Sequence, residues 1–258
     1  MIASTAGHRP SALGGGRELR GERVVAQRAP SNGEPRRAAL FPLAKFRPTT
    51  LPATLVTRSA LHGRLMAGAG KRLTVVVGSA GAGKSVLLSS WAATRERGVT
   101  SWLSCDEADA DPVRFWTGFI EAARVVAPGF GADAAELLAA DGAMSADVTA
   151  SIANDAARLP PGSAIVVDDF HAAASAAAGH MTDLVERWPA TTAQLVLASR
   201  TDPPVRLHRL RMAGELCELR DRDLSLSLAE SRALVDPFDG ERIGKRLDGF
   251  GEGNAVIP

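Results

Sequence analysis

The sequence predicts an α/β protein: a five-stranded, mostly parallel sheet covered by helices on both faces. Three observations carry this expectation. Short runs rich in Val, Ile and Leu recur along the chain and end abruptly at glycine or polar residues, as strands buried on both faces do. Segments of helical periodicity separate them, the alternation that builds parallel sheets. The 258 residues are 45% hydrophobic and 23% charged, which supplies a sizeable core and excludes a wholly disordered chain.

Residues 1–44 are rich in Gly, Pro, Ser and Arg and show no sustained periodicity. They cannot bury enough apolar surface to offset their ordering entropy, so a disordered extension is expected. The folded domain is expected over residues 45–235. Its first strand is "RLTVVV" (Arg72 to Val77), ended by the glycine-rich "GSAGAGKS" (Gly78 to Ser85). "VLLSSWAATRER" (Val86 to Arg97) follows as a helix stopped by Gly98, and "VTSWLS" (Val99 to Ser104) as a second strand. Asp111 caps a helix with Pro112 at its first position. Phe115, Trp116, Phe119, Ile120 and Ala123 share one face of that helix and are expected in the core. Two Ala-rich helical stretches come after "PGFG". Then follow the strand "AIVVDDF" (Ala164 to Phe170), a helix ending near Trp188 and Pro189, and the strand "QLVLASR" (Gln194 to Arg200). "ELCELR" (Glu215 to Arg220) is the fifth strand, and Ser227 with Glu230 forms a capping box for a short last helix. Residues 236–258 are Gly-rich and polar, an irregular tail.

Charge and cysteine usage narrow the function. A formal net charge of +1 gives no global attraction to nucleic acid or to a membrane surface. The 7 Arg against 3 Glu in residues 1–40 read as a solvated tail. Cys105 and Cys217 are far apart and form neither a metal-ligand spacing nor a disulfide framework. No run of 18 apolar residues exists, so no membrane span is expected. "RRAALFPLAKF" (Arg36 to Phe46) is superficially like a twin-arginine export signal, but its apolar stretch is at the short limit for one, and the bland reading is preferred. A cytoplasmic protein is the expectation.

"GSAGAGKS" fits G-x-x-x-x-G-K-[ST], the Walker A phosphate-binding loop, between a buried strand and a long helix. Small residues let the backbone N–H groups of Gly78, Ser79, Ala80, Gly81, Ala82 and Gly83 approach phosphate oxygens. Lys84 adds positive charge near the β- and γ-phosphates. Ser85 supplies a hydroxyl for Mg²⁺, and the helix opening at Val86 turns its positive end to the anion. A second acidic element is then expected at a neighbouring strand tip, the Walker B position. There Asp168 would hold the metal, and Asp169 would orient or deprotonate water. The bland alternative is that one of the two caps the next helix. Arg200, at the end of its strand, would face the γ-phosphate and stabilise transition-state charge, or else be an ordinary solvated arginine. His171 reads as a packing or capping residue, and Cys105 as buried.

Several stretches together resemble one family. They are "KFRPTTLPATLVTRSALHGRL", "GSAGAGKS", "TSWLSCDEADADPVRFW", "IVVDDFH", "LVLASRTDPPVRLHRLRMAGELCELRDRDL" and "SLAESRALV". The chain is similar, from about Lys45 to Val235, to the P-loop ATPase module of large LuxR-type transcription regulators of the maltose-activator kind, members of the STAND signalling ATPases. The resemblance implies a sheet order of 5-1-4-3-2 and a nucleotide switch, held off by ADP and oligomerising with ATP. It also implies an adenine pocket near "LVTR", with Leu55, Val56 and Arg58 as its residues. The family continues into a lid, a sensor and a helix-turn-helix domain, none of which is legible after Val235, so a truncated or split regulator is expected.

The function expected is thus an ATP-binding regulatory module with slow hydrolysis, using ATP or ADP with Mg²⁺. Its partners would be nucleotide, further copies of itself, or separately encoded regulator domains, with no specific DNA binding by this chain. The alternatives are a small-molecule phosphotransferase and a nucleotide-binding remnant without turnover. No N-K-x-D or L-S-G-G-Q motif points to a GTPase or a transport ATPase.

Overall fold

The computed structural model describes residues 41–232. Five strands form one sheet: β1 (Leu73–Val77), β2 (Thr100–Ser104), β3 (Ser163–Asp168), β4 (Ala193–Ser199) and β5 (Leu216–Leu219). The order is β2-β3-β4-β1-β5 and every pairing is parallel. That is the expected 5-1-4-3-2 read from the other edge.

Why the strands lack a polar face is visible in their packing. Val75, Ile165, Val167, Leu195 and Leu197 join one apolar core, beneath helices α3 (Pro112–Ala123), α4 (Ala132–Asp141), α5 (Ala146–Ala156) and α6 (Ala174–Arg187). Their neighbours Val76, Ala164, Val166, Val196 and Ala198 join the other, against α1 (Ser59–Ala67) and α2 (Lys84–Ala93). Successive side chains of a strand point to opposite faces, so a sheet covered twice is apolar at most positions, with Thr74, Ser101, Ser163 and Gln194 among the buried polar exceptions.

The aromatic stripe of α3 is core, as its spacing indicates. Phe115, Trp116 and Phe119 are fully buried and stack edge to face, with centroids 5.1 and 5.6 Å apart, and Phe170 lies 5.9 Å from Phe115. Asp111 accepts the Arg114 N–H at 2.7 Å, which caps the helix. The helix expected to run to Arg97 is shorter. α2 ends at Ala93, where Thr94 Oγ1 donates back to Trp91 O. Arg95 then turns away to donate to Thr100 Oγ1 at 2.8 Å and to the Gly162 carbonyl. Two short helices, α7 (Leu207–Met212) and α8 (Asp221–Leu224), flank β5. The Ser227–Glu230 box is present with both reciprocal bonds, 2.7 and 3.2 Å.

Of residues 41–44, placed in the extension by composition, Phe41 packs into the domain at 6% exposed, while Pro42, Leu43 and Ala44 are exposed. The remainder of that extension, residues 233–235 and the expected tail over 236–258 lie outside the described residues. At the β5 edge, Arg64 donates to the Glu218 carbonyl at 2.5 Å and Lys71 to that of Gly214 at 2.7 Å.

Candidate functional site

β1 ends at Val77 and α2 begins at Lys84, so Gly78 to Gly83 make a six-residue turn at the carboxyl edge of the sheet. Gly78 N–H still reaches Ser199 O, extending the β1–β4 register by one bond. Gly81 and Gly83 have φ of 79° and 81°, a left-handed conformation that glycine alone adopts freely. Gly78 is glycine for a different reason. A Cβ there would lie 2.7 Å from Leu224 Cδ1 and 2.9 Å from Asp221 Oδ1. Ser79, Ala80, Gly81 and Gly83 are exposed, while Ala82, Ser85 and Val86 are half-buried. Lys84 is buried, and its Nζ donates to Gly78 O at 2.7 Å and Ser79 O at 2.9 Å. The loop therefore curls around its own lysine.

Asp168 is the last residue of β3 and is 2% exposed. Burial pushes its carboxyl above the usual carboxylate range, and the Asp169 charge adds to this. The Ser85 hydroxyl, the Asp169 N–H and the Lys84 ammonium pull the other way. Ser85, at the start of α2, thus comes near Asp168 although β4 lies between β1 and β3. The pairing of an α2 hydroxyl with a buried carboxylate is the donor set that a small hard cation takes.

Asp169 is the sole described non-glycine residue with positive φ, at 51°. Such a backbone costs about 1 kcal/mol or more. Its side chain is 45% exposed, 3.8 Å from His171 Nδ1, and makes no cap bond to the helical turn Phe170–Ala172. The helix-cap alternative for this residue does not hold. Arg200 follows β4 directly, is exposed, and forms no ion pair with another described residue. The loop, both acids and Arg200 all sit at the carboxyl ends of strands, where open α/β sheets receive ligands.

Beside the loop lies a cavity of about 400 Å³. Leu55, Val56 and Arg58 form one wall, and Gly81, Ala82 and Val86 another. The residues implied by "LVTR" and those of the glycine loop are therefore brought together. Leu224 and Leu226 complete the lining, a contribution that sequence reasoning missed. Ser90 also lines it, with its Oγ donating to Leu87 O and lying 2.8 Å from His62 Nε2. Burial lowers the His62 pKa.

Arg58 does more than line a wall. Its guanidinium donates to the carbonyls of Leu224 at 2.5 Å, Ser225 at 2.8 Å and Asp223 at 3.1 Å, and to Glu230 at 3.2 Å. One side chain thereby fixes the whole segment after β5. That segment returns Asp221 to the loop, where its Oδ1 accepts from Ser79 N–H at 2.9 Å. The Ser227–Glu230 box was the single sequence signal for this arrangement. A second groove of about 360 Å³, by Arg72, Glu186 and Glu215, lies at the amino ends of β1 and β5, away from these groups.

A parallel sheet with a glycine loop, a buried lysine and a strand-end carboxylate defines a nucleotide-binding ATPase class of domain. The chain belongs to the AAA ATPase domain family, which matches residues 55–205. It is similar to the serine/threonine-protein kinase PknK of Mycobacterium tuberculosis, 29% identical over 209 residues, 78% of this chain and 18% of that protein. It is also similar to the HTH-type transcriptional regulators MalT of two bacteria. That of Yersinia enterocolitica is 30% identical over 200 residues, 76% of this chain and 22% of the relative. That of Serratia proteamaculans is 28% identical over 219 residues, 81% and 24%. The chain thus spans less than a quarter of the length of these curated relatives. Among the described residues no helix is long and apolar enough to cross a membrane.

Proposed function

We propose that the chain is an ATP-binding regulatory module of a STAND-type signalling protein of the LuxR kind, with slow ATP hydrolysis, acting in the cytoplasm. The observation that carries this reading is the junction of β1 and α2, where two left-handed glycines, buried Lys84 and Ser85 meet buried Asp168. The loop N–H groups from Gly81 to Ser85 and the Lys84 ammonium would hold the phosphates. Ser85 and Asp168 would hold Mg²⁺, which when bound neutralises charge on the transferring phosphate. Leu55, Val56 and Val86 would take the base, with Leu224 closing over it. Asp169 would orient or deprotonate water, and Arg200 would offset charge developing on the γ-phosphate.

Slow turnover is supported by exposure. Asp169 and Arg200 both stand open to water, whereas phosphoryl transfer depends on groups fixed in a site closed to it. Similarity to both a kinase and transcription regulators supports a module that serves different outputs. Domains that sense signals or bind DNA would be supplied alongside it, and self-association would follow ATP binding.

The test combines calorimetric titration of Mg·ATP and Mg·ADP with phosphate release, with and without candidate acceptors. Lys84→Ala should weaken binding about tenfold to a hundredfold, the worth of one charge-assisted contact. Asp169→Asn should leave binding intact and lower release by about 10²–10⁴-fold. Equal nucleotide affinity in wild type and Lys84→Ala would sink the binding reading, and release that required an acceptor would favour a phosphotransferase.

A further inference from the structure

The Gly78–Ser79 peptide is held from both ends. Lys84 Nζ donates to its carbonyl at 2.7 Å, and its N–H donates to Asp221 Oδ1 at 2.9 Å. Ser79 Oγ adds a second bond to the same carboxylate oxygen at 3.2 Å. A loop built to present N–H groups to anions therefore already carries one anion of the protein's own.

The backbone that carries this carboxylate is fixed in place. Asp221 opens α8, and Leu224 on the same turn packs so closely on Gly78 that no Cβ fits between them. Arg58 holds the carbonyls of residues 223–225. The carboxylate also has no direct ion-pair partner among the described residues, and Arg222 of the same basin stands outside any such pair as well. Arg64, Arg211, Arg220 and Arg222 share the surrounding basin with it. Yet Arg64 pairs with Asp223 at 2.8 Å, and both Arg211 and Arg220 pair with Glu218 at 2.7 Å. Among the described residues Asp221 forms no ion pair, and its side-chain bonds come from the neutral donors of Ser79.

We propose that Asp221 is a specificity-determining residue of the phosphate loop. Its fixed negative charge opposes each phosphate charge added to the ligand, so the site holds a nucleoside diphosphate in preference to a triphosphate. This rests on the nucleotide reading above. One peptide unit separates the Asp221 carboxylate from the Lys84 ammonium, so a phosphate held by Lys84 would lie within the range over which like charges at a protein surface still repel. Lys84 attracts either nucleotide. Asp221 penalises the one with the extra charge, and its backbone cannot retreat without unpacking Leu224 or releasing Arg58.

Asp221→Asn keeps an acceptor oxygen for Ser79 and removes the charge, whereas Asp221→Ala removes both. The experiment titrates wild type and both variants with Mg·ADP and a non-hydrolysable Mg·ATP analogue, at low and high salt. Asp221→Asn should raise triphosphate affinity relative to diphosphate by about three- to tenfold, a gain that shrinks at high salt because the charge is solvent-exposed. An unchanged ratio in Asp221→Asn, with both nucleotides still binding, overturns the proposal and leaves the nucleotide site standing. A changed ratio in Asp221→Ala alone also overturns it, since the carboxylate would then act only as a hydrogen-bond anchor. A wild type that binds neither nucleotide removes both readings.

Discussion

Lys45 Nζ meets Asp109 Oδ2 at 2.5 Å, with the two side chains 3% and 0% exposed. Asp106 takes a second bond from the same ammonium at 2.7 Å, and the Asp106 N–H returns one to Asp109. The pair pins the first described segment to the start of the Glu107–Ala110 turn. Removing one partner of a buried pair leaves the other uncompensated and costs about 3–5 kcal/mol. Lys45→Met should therefore lose about that much in urea unfolding. The double variant Lys45→Met, Asp109→Leu should recover part of the loss. Equal losses in single and double variants would contradict this reading.

Asp168 predicts a pH dependence of known sign. Burial raises its pKa, so it binds a proton in the folded state at a pH where the unfolded chain has lost it. Its cost to stability is absent at low pH and appears as pH rises from the ordinary carboxylate value through the raised one. Asp168→Asn should abolish that part of the profile and be at least as stable as wild type at neutral pH. Because only the ionised form serves a cation, enhancement of ADP affinity by Mg²⁺ should fade on acidification while still above the usual carboxylate range. Calorimetry across pH on wild type and Asp168→Asn reads both effects.

Arg58→Ala should free the segment after β5. It removes donors to three carbonyls and to Glu230 at once, so cleavage by trypsin at Arg222 should accelerate. Arg58→Lys should not restore protection, because a single ammonium cannot reproduce the planar fork. Unaltered cleavage in Arg58→Ala would mean that Leu224 packing alone holds the segment.

Glu218 sets an acid limb. Hydrogen bonding from Arg211, helped by Arg220, holds its carboxyl down at about 2. A depressed acid contributes stability above its unfolded value of 4.5, and that contribution is lost as pH falls towards about 2. Glu218→Gln should flatten the melting temperature across that window and leave the profile above it unchanged.

The loop and Asp168 were legible because each is a run of adjacent residues whose types state their backbone and their chemistry. Strand positions were legible for a related reason, since burial on both faces leaves a mostly apolar run. Asp221 was not. It meets Ser79 across 142 residues, a neighbour relation created only when β5 lies beside β1, and as a lone acid on a charged turn it has no pattern of its own. Arg58 could be placed at the pocket by resemblance, but its hold on carbonyls cannot be read from side-chain types. The sequence places Lys45 at the start of the domain, but its buried pairing was not legible because its two acidic partners lie more than 60 residues away. The overlong second helix came from reading the polar "TRER" as an exposed helix end. Thr94 and Arg95 instead bond to the backbone and to the next strand.

The guarded edge of β5 bears on how such domains can stack. A bare outer strand is a template on which another chain can add its own strand, the usual route to uncontrolled aggregation. Arg64 and Lys71 already take the Glu218 and Gly214 carbonyls along this border. An incoming strand would have to displace Arg64 from the Glu218 carbonyl within the strand and Lys71 from the Gly214 carbonyl just before it. Copies of this domain that come together should therefore not join their sheets through the β5 edge.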